Sequence, residues 1–600
     1  MYDDFKFSSE GQVYTGIRVF RNVFLSLFIA GIALDRIEHD FLPLGMVANE
    51  QKVFEFFAQA AAQFAVPLFQ RHYEWERPQW ERLWNNIEKI LQPNAENHFF
   101  GAVVYHRTEV GTGFSKLILI DGQQRLTTIS VFLCLLRNLA FQRHQCDIAE
   151  KINYRYLANP DENGDRFLRL LLPVNSGYQR HYRRMIEQVG HYPVPDKGNL
   201  LHYAYRFFEK KMIGLSIDVE QVWDRLASKF VIAGIILDPK DNPYRILERL
   251  DTCGKSPPSA DLIRNVIFMQ LSEDPAGQER VYKTYWQPME HRLGGQRLMD
   301  FMRHFLSMQR ESLVREGDVC DRMCGFMEKF GPHVHDLLAT LHFFARLYAK
   351  IIYVEEELHD GIRCRLARLN RLNYTSAHPF LLQLYGHYES GCISDDHMIH
   401  SLSALENFLI RRIVCGVPTN KLHKIFPRLF REILCRQSEN SMCDFPYAVQ
   451  STLRQKEYPD DAAFTAAFVQ YRFYKTSGSN EQCRFVLDML ENALSGKVAA
   501  AVTRSHISIE HIMPQTLSEI WKTELGENWE AVHSKYLHTI GNLTLTGCNA
   551  ELSNTPYAEK RSAFQASNIR LNRYFTNADR WSGTAILDRA DMLAKIAAEV

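Results

Sequence analysis

The sequence has no excess charge of either sign, because 70 basic side chains balance 70 acidic ones. No global electric field therefore draws the chain toward nucleic acid, and any phosphate-binding surface must be local.

A long hydrophobic run is missing as well. The apolar stretch Val23–Leu34 is shorter than the roughly 20 residues of a transmembrane helix, and Asp35 and Arg36 follow it in place of a small-residue cleavage site. The sequence therefore predicts no membrane association.

Paired cysteines are also missing. The 12 cysteines are scattered without a Cys-x-x-Cys motif, and the two nearest in sequence are Cys320 and Cys324. A structural zinc site usually draws on two such pairs or on nearby histidines, so the pattern gives it little support. Isolated thiols are typical of a reducing compartment. We therefore expect reduced cysteines in a cytoplasmic protein.

At 600 residues the chain is too long for one hydrophobic core, so it is expected to contain two to four domains. From about residue 200 to residue 500, apolar positions recur every three or four residues, which predicts helices. Strand patterns flank this region, at 101–105 and 116–120 before it and around 509–511 after it. The sequence thus predicts an α+β fold that is predominantly helical.

The first functional motif lies near the C-terminal end. Glu510 and His511 stand together, and some thirty residues later the segment Gly541–Thr546 is followed by Asn549 and Asn554. This pattern suits a one-metal phosphodiesterase site. Glu510 would ligate Mg²⁺ or Mn²⁺, with Asn549 or Asn554 as the second ligand, and His511 would be the general base that activates water.

Two further residues complete this prediction. Asn542 would hold the imidazole or the loop by hydrogen bonding, and Lys560 would finish the metal shell or contact a phosphate. The alternative is structural: a buried His511 capped by Glu510, with asparagines in ordinary turns. For any single residue that alternative is the better one, whereas the joint pattern favours a catalytic site.

A second motif follows the strand at 116–120. Asp121, Gly122, Gln123, Gln124 and Arg125 form a polar turn before Thr127, Thr128 and an apolar helix over residues 126–139. Gly122 would allow a ligand to approach the backbone, and the guanidinium of Arg125 suits a phosphate at a helix N-terminus. We expect this turn to bind a phosphate group. The alternative is a capped helix with a solvated arginine.

Two more clusters accompany this turn. The segment 66–75 combines Gln70 and Arg71 with Tyr73 and Trp75, which could stack a base, although its aromatic side chains could equally belong to the core. The segment 251–255 could close over a phosphate or form a plain turn. On the residues alone, both interpretations stay open for each cluster.

These motifs resemble those of one family. Residues 505–565 resemble the HNH (His-Me finger) nuclease domain of the GmrSD family, the modification-dependent type IV restriction endonucleases. The last HNH histidine is replaced here by asparagine, either Asn549 or Asn554. The three N-terminal clusters, in their order along the chain, resemble the ParB/sulfiredoxin-like domain of the same family.

The resemblance implies a domain organisation. Residues 1–45 are expected to be an upstream extension or a disordered tail, and 46–270 a domain that senses nucleotide and DNA. Residues 271–480 would form a helical connecting domain that ends in a linker at 476–480. Residues 481–600 would form the nuclease domain with a ββα-metal fold.

One segment of twenty-six residues carries a local excess of positive charge, and we expect this basic track to bind the DNA backbone. Its basic residues are Arg411, Arg412, Lys421, Lys424, Arg428, Arg431 and Arg436. A solvated helix face explains this excess equally well.

Taken together, the sequence predicts a nucleotide-regulated, metal-dependent DNA endonuclease that defends a cell against foreign, modified phage DNA and hydrolyses nucleoside triphosphate in its N-terminal domain. The alternatives are a nucleotide-dependent DNA-binding sensor that does not cut and an RNA-cleaving toxin. Assembly into a homo-oligomer stays open.

Overall fold

The structure is a computed structural model that describes residues 47–599 with several internal gaps. The gaps are 59–61, 68–69, 71, 110–114, 161–165, 174–176, 191–197, 216, 238–258, 272–274, 331–332, 440–443, 496–506 and 548–551. The predicted extension at 1–45 lies outside the described residues. The described chain falls into two compact units, one with the residues up to Glu290 and Cys320–Ala339, the other with His291–Val319 and the residues from Thr340 onward.

Within its described residues, the first unit contains a mixed sheet of six strands in the order β1-β8-β3-β4-β2-β7, with β5 and β6 as a separate antiparallel pair. The strands are β1 (Val47–Lys52), β2 (Ala62–Ala65), β3 (His98–Glu109), β4 (Ser115–Asp121), β5 (Ala158–Pro160), β6 (Arg166–Leu168), β7 (Leu170–Leu171) and β8 (Phe230–Ile236). The pairs β1/β8 and β3/β4 are antiparallel, whereas β8/β3, β4/β2 and β2/β7 are parallel. The predicted pairing of segments 101–105 and 116–120 is confirmed in β3 and β4.

The first unit also contains helices. They are α1 (Val53–Phe57), α2 (Arg77–Leu91), α3 (Gln123–Gln142), α4 (Cys146–Ile152), α5 (Gly177–Glu187), α6 (Leu200–Ile213), α7 (Val219–Lys229), α8 (Ser259–Met269) and α9 (Pro275–Val281). Helix α3 contains the predicted helix 126–139 and is apolar around most of its circumference, which is typical of a helix inside a core. Its Phe132 packs against Trp84 of α2 and Phe208 of α6.

The middle of the chain is helical, as predicted. Its helices are α10 (Gln287–Arg310), α11 (Val319–Phe330), α12 (Val334–Ile352), α13 (Asp360–Leu372), α14 (His378–Glu389), α15 (Asp395–Val414), α16 (Leu422–Glu439), α17 (Phe445–Arg454), α18 (Asp461–Gln470) and α19 (Glu481–Ser495). Helices α13 and α15 end next to Asn373 and Gly416, which adopt positive φ of 58° and 64°.

The C-terminal segment contains the antiparallel strands β9 (Ser508–His511) and β10 (Leu543–Thr546). Its helices are α20 (Glu519–Leu525), α21 (Trp529–Tyr536), α22 (Tyr557–Gln565) and α23 (Gly583–Glu599). Along the chain, β9 is followed by α20, α21, β10 and α22. Trp521, Phe575 and Trp581 lie in the core beneath them.

The fold is therefore α+β and predominantly helical, as predicted. No helix among the described residues has both the length and the apolar character needed to span a bilayer.

Gly541 allows the turn before β10 to approach helix α23 closely. A Cβ at this position would lie 2.1 Å from the carbonyl oxygen of Ile586. We predict that Gly541→Ala destabilises the protein by about 2–3 kcal/mol, because either the turn or the helix must move. Thermal unfolding tests this against Gly547→Ala, whose added Cβ meets no atom within 4 Å. Equal melting temperatures for the two variants would contradict the close approach.

Candidate functional site

The pairing of β9 with β10 positions the C-terminal motif. His511 lies opposite Leu543, and Glu510 lies opposite Thr544. Both motif side chains are buried, at 5% exposure each. Neighbouring residues in a strand point to opposite faces. Accordingly, Glu510 contacts helix α22 while His511 contacts the chain before β10.

Lys560 of helix α22 binds the carboxylate. Its Nζ lies 2.6 Å from Glu510 Oε1 and also donates a hydrogen bond of 2.9 Å to the carbonyl oxygen of His511. Burial raises the pKa of Glu510 and lowers that of Lys560, and each partner opposes the shift of the other. The contact of Lys560 with a metal shell or a phosphate stays a prediction. In the structure its ammonium neutralises the buried carboxylate and holds the end of β9.

His511 is a neutral imidazole at physiological pH. Burial, with smaller contributions from the nearby His538, Lys560 and His533, lowers its pKa to about 3. Its Nε2 lies 3.2 Å from Nδ1 of His538, and the ring of Tyr474 meets it edge-on at 4.5 Å between centroids. A neutral ring keeps one nitrogen lone pair, which is what a general base requires.

Asn542 holds the loop that follows His511. Its Oδ1 accepts hydrogen bonds from the backbone of Met513 (2.7 Å) and the indole of Trp581 (3.1 Å). Its Nδ2 donates to the carbonyl oxygens of Met513 and Leu537, both at 3.0 Å. Of the two roles predicted for Asn542, these contacts correspond to the loop rather than the imidazole.

A buried arginine supports the same turn from helix α23. Nη1 of Arg589 donates to the carbonyl oxygens of Ile540 (3.0 Å), Gly541 (2.8 Å) and Leu543 (2.8 Å). No sequence motif pointed to Arg589, because a single arginine on an amphipathic helix usually lies at the surface.

The predicted metal ligands are only partly described. Asn549 lies outside the described residues, and Asn554 is exposed in the turn before helix α22. No cluster of three or more His, Cys, Asp or Glu side chains suited to a metal occurs in the described part of the chain. The donors present, one carboxylate and an amide, have the oxygen chemistry that a hard cation prefers. Lys560 engages Oε1 of Glu510, so such an ion would have to use Oε2.

The N-terminal motif lies at one edge of the six-stranded sheet. Strands β2, β4 and β7 run parallel, so the segments that follow them emerge at the same edge. Gly122, at φ 92°, begins helix α3, and Asp121 pairs with Arg125 at 3.0 Å. The Arg125 guanidinium packs on Gly101, where a Cβ would lie 1.9 Å from Nη1.

Two glutamines join the predicted clusters. Gln124 donates to the carbonyl oxygen of His72 and accepts from the N–H of Glu74, both at 2.9 Å. Gln70 donates to the carbonyl oxygens of Leu119 (2.6 Å) and Ile120 (3.1 Å). The segments 66–75 and 121–125, far apart in sequence, therefore form one site.

This site also contains buried acceptors. Oε1 of Gln70 and Oε1 of Gln123 are buried without a hydrogen-bond partner among the described residues. A buried acceptor without a partner destabilises the folded protein unless a ligand or a water molecule donates a hydrogen bond to it. The two oxygens could accept hydrogen bonds from hydroxyl or amino groups of a ligand.

The aromatic residues near this site have different environments. Tyr73 is buried, and its hydroxyl pairs with Thr128 at 2.7 Å and accepts from Trp80 at 2.9 Å. Burial raises the pKa of Tyr73. Trp75 is half-buried against the same core, and Thr127 is buried too. These contacts belong to the hydrophobic core, which was the alternative to stacking on a base.

Some predicted residues lie outside the described ones, namely Arg71 and the third cluster at 251–255. A pair that the sequence did not suggest is His72 and Tyr178, whose rings stack at 5.8 Å beside the loop held by Gln124. The pair joins residues more than a hundred positions apart, so local sequence gives no signal for it.

The predicted basic track is wrong for its first two residues. Arg411 and Arg412 are buried at 3% and 2% exposure. Arg411 pairs with Asp461 at 2.6 Å, and Arg412 donates to the carbonyl oxygens of Lys456 and Pro418. These guanidiniums join helices inside the second unit, because carbonyl groups there satisfy their donors.

Comparison with known proteins identifies both ends of the chain. Residues 53–268 match the family model described as GmrSD restriction endonuclease, N-terminal domain. Residues 458–596 match the one described as GmrSD restriction endonucleases, C-terminal domain. No curated protein matches the chain. The C-terminal match covers Tyr474 and all the residues described around His511.

Removing Lys560 should leave a buried carboxylate without its counter-ion. We predict that Lys560→Met destabilises the protein by about 3 kcal/mol and that Glu510→Gln alone also destabilises it. The double variant should lose less free energy of unfolding than the two single variants lose together, because both charges are gone. Urea unfolding of the four proteins measures this coupling. Strictly additive losses would show that the two side chains do not interact.

The low pKa of His511 predicts a pH-dependent stability. Between about pH 6.5 and pH 3 the unfolded state binds a proton that the folded state does not, so stability falls as the pH is lowered through this window. Each pH unit costs about 1.4 kcal/mol for one such histidine. Relative to wild type, the melting temperature of His511→Gln should therefore rise as the pH falls from 7 to 5. A constant difference between the two proteins would contradict the shifted pKa.

Proposed function

The chain belongs to the GmrSD restriction endonuclease family, and from this premise we propose that it cuts DNA at the His511 site with the help of a divalent cation. As a restriction endonuclease it acts on DNA. We propose further that its C-terminal domain is of the HNH type. The strand–strand–helix frame that carries Glu510, His511 and Lys560 supports this assignment.

The observation that carries the proposal is the neutral, buried imidazole of His511, which follows the buried carboxylate of Glu510 along strand β9. His511 would take a proton from a water molecule whose oxygen forms a bond to phosphorus, while the bond to the leaving oxygen of the DNA strand breaks. The Asn542 hydrogen bonds keep the loop after His511 in one conformation. Lys560 keeps the end of β9, and hence the base, in place.

The cation in this proposal is Mg²⁺ or Mn²⁺. Glu510, together with Asn549 or Asn554, would hold it, since carboxylate and amide oxygens are the donors that such ions prefer. When bound, it supplies charge neutralisation at the phosphate and the leaving oxygen.

We propose that nucleotide binds at the edge formed by Asp121–Arg125 and Gln70, and that this domain hydrolyses it. The unpartnered acceptors of Gln70 and Gln123 suit the hydroxyl groups of a ribose or the amino group of a base. Arg125 supplies a guanidinium that suits a phosphate. Nucleotide would control cleavage of foreign DNA, and modified phage DNA is the proposed target.

Cleavage assays test the first part of this proposal. The purified full chain is incubated with plasmid DNA and with phage DNAs bearing different base modifications, with and without Mg²⁺ or Mn²⁺ and each nucleoside triphosphate. We expect metal-dependent cutting that His511→Ala abolishes. His400→Ala, at an exposed histidine of helix α15, is the matched control and should cut like wild type.

The other outcomes of this assay separate the alternative functions. DNA binding without cleavage under any condition would favour a sensor, and cleavage of RNA alone would favour an RNA-cleaving toxin. Unchanged cleavage by His511→Ala would remove the proposed base.

Nucleotide binding is tested by calorimetry with ATP and GTP. Because one hydrogen bond to a buried acceptor contributes about 1.5 kcal/mol, we expect Gln123→Ala to weaken the affinity about 10-fold. The control is Gln142→Ala, at the exposed end of the same helix. If neither nucleotide binds the wild-type protein, or if Gln123→Ala and Gln142→Ala bind nucleotide with the same affinity, the nucleotide does not bind at this site.

A further inference from the structure

His538 is a second histidine at the site that the motifs did not reveal. It is 4% exposed and directly precedes the short 3-10 turn that leads into β10. Its Nδ1 lies 3.2 Å from Nε2 of His511. Two ring nitrogens at this distance share one proton, so one ring donates and the other accepts. The proton positions on the two imidazoles are therefore coupled.

We propose that His538 is a positioning residue that accepts a hydrogen bond from Nε2 of His511 and thereby leaves Nδ1 of His511 free to take the proton from water. A neutral imidazole carries one N–H. If that hydrogen lies on Nε2, the lone pair lies on Nδ1. The opposite arrangement, with His538 as the donor, places the hydrogen of His511 on Nδ1 and removes the base. This inference rests on the proposed function.

The same contact assists the proton transfer. Once Nδ1 of His511 has taken the proton from water, the ring is an imidazolium whose Nε2–H points at Nδ1 of His538. A hydrogen bond from a charged donor is about twice as strong as one between neutral groups. His538 would thus stabilise the charged form of the base without taking its proton, as the orienting carboxylate does in a catalytic triad.

The backbone around His538 holds the ring in place. Its carbonyl oxygen accepts hydrogen bonds from the N–H groups of Phe473 (2.9 Å) and Tyr474 (3.4 Å), and Arg472 forms a β-bridge with Thr539. The ring of Tyr474 stacks on His538 with a centroid distance of 5.6 Å and an angle of 17°. The segment before helix α19 therefore forms one wall of the site.

Burial favours a donor–acceptor pair of the two rings. His511 is 5% exposed and His538 is 4% exposed. A buried ring nitrogen without a partner is costly, so the arrangement in which one ring donates and the other accepts satisfies both nitrogens.

Two substitutions separate the hydrogen bond from packing. His538→Phe keeps a ring against Tyr474 but has no acceptor, whereas His538→Asn offers Oδ1 near the position of Nδ1. We expect His538→Phe to lower kcat for DNA cleavage on the order of 10- to 100-fold with KM within about 2-fold of wild type. His538→Asn should retain kcat within about 3-fold, since an amide oxygen accepts a hydrogen bond as well as an imidazole nitrogen does.

Melting temperatures verify that both variants fold. Equal kcat values for the two variants would overturn the role of His538 if His511→Ala is inactive. A wild-type protein that cuts no DNA, or an active His511→Ala, would instead count against the proposed function itself.

Discussion

One buried ammonium group sustains the C-terminal site. Lys560 reaches from helix α22 to both the carboxylate of Glu510 and the carbonyl oxygen of His511, and so ties the helix to the end of strand β9. A carboxylate in this environment is costly without its counter-ion. The position of strand β9 and the charge of the site therefore depend on the same contact. Any cation that binds Glu510 must share this carboxylate with Lys560.

The N-terminal site follows a different principle, because uncharged amides assemble it. Gln70 and Gln124 join the segments after β2 and β4 through hydrogen bonds to backbone groups. Nε2 of Gln70 holds the backbone, while its Oε1 has no hydrogen-bond partner among the described residues. One side chain thus holds the fold and offers an acceptor to the proposed nucleotide.

Local patterns in the sequence predicted the parts of the fold that depend on neighbouring residues. The pairing of β3 with β4 and helix α3 follow from alternation, helical periodicity and turn residues. The insertion of β8 between β1 and β3 and the contact of His511 with His538 depend on long-range register, for which a single sequence has no signal. Charge counting failed at Arg411 and Arg412, because it cannot tell a solvated guanidinium from one that carbonyl oxygens satisfy.

The low pKa of His511 sets a condition on the proposed chemistry. A base with a pKa of about 3 is unprotonated at any physiological pH, yet it binds a proton weakly. Burial is the main cause of this weakness, and His538, Lys560 and His533 add to it. A DNA phosphate near the ring would add negative charge, and negative charge favours the imidazolium. The substrate itself would thus raise the proton affinity of His511.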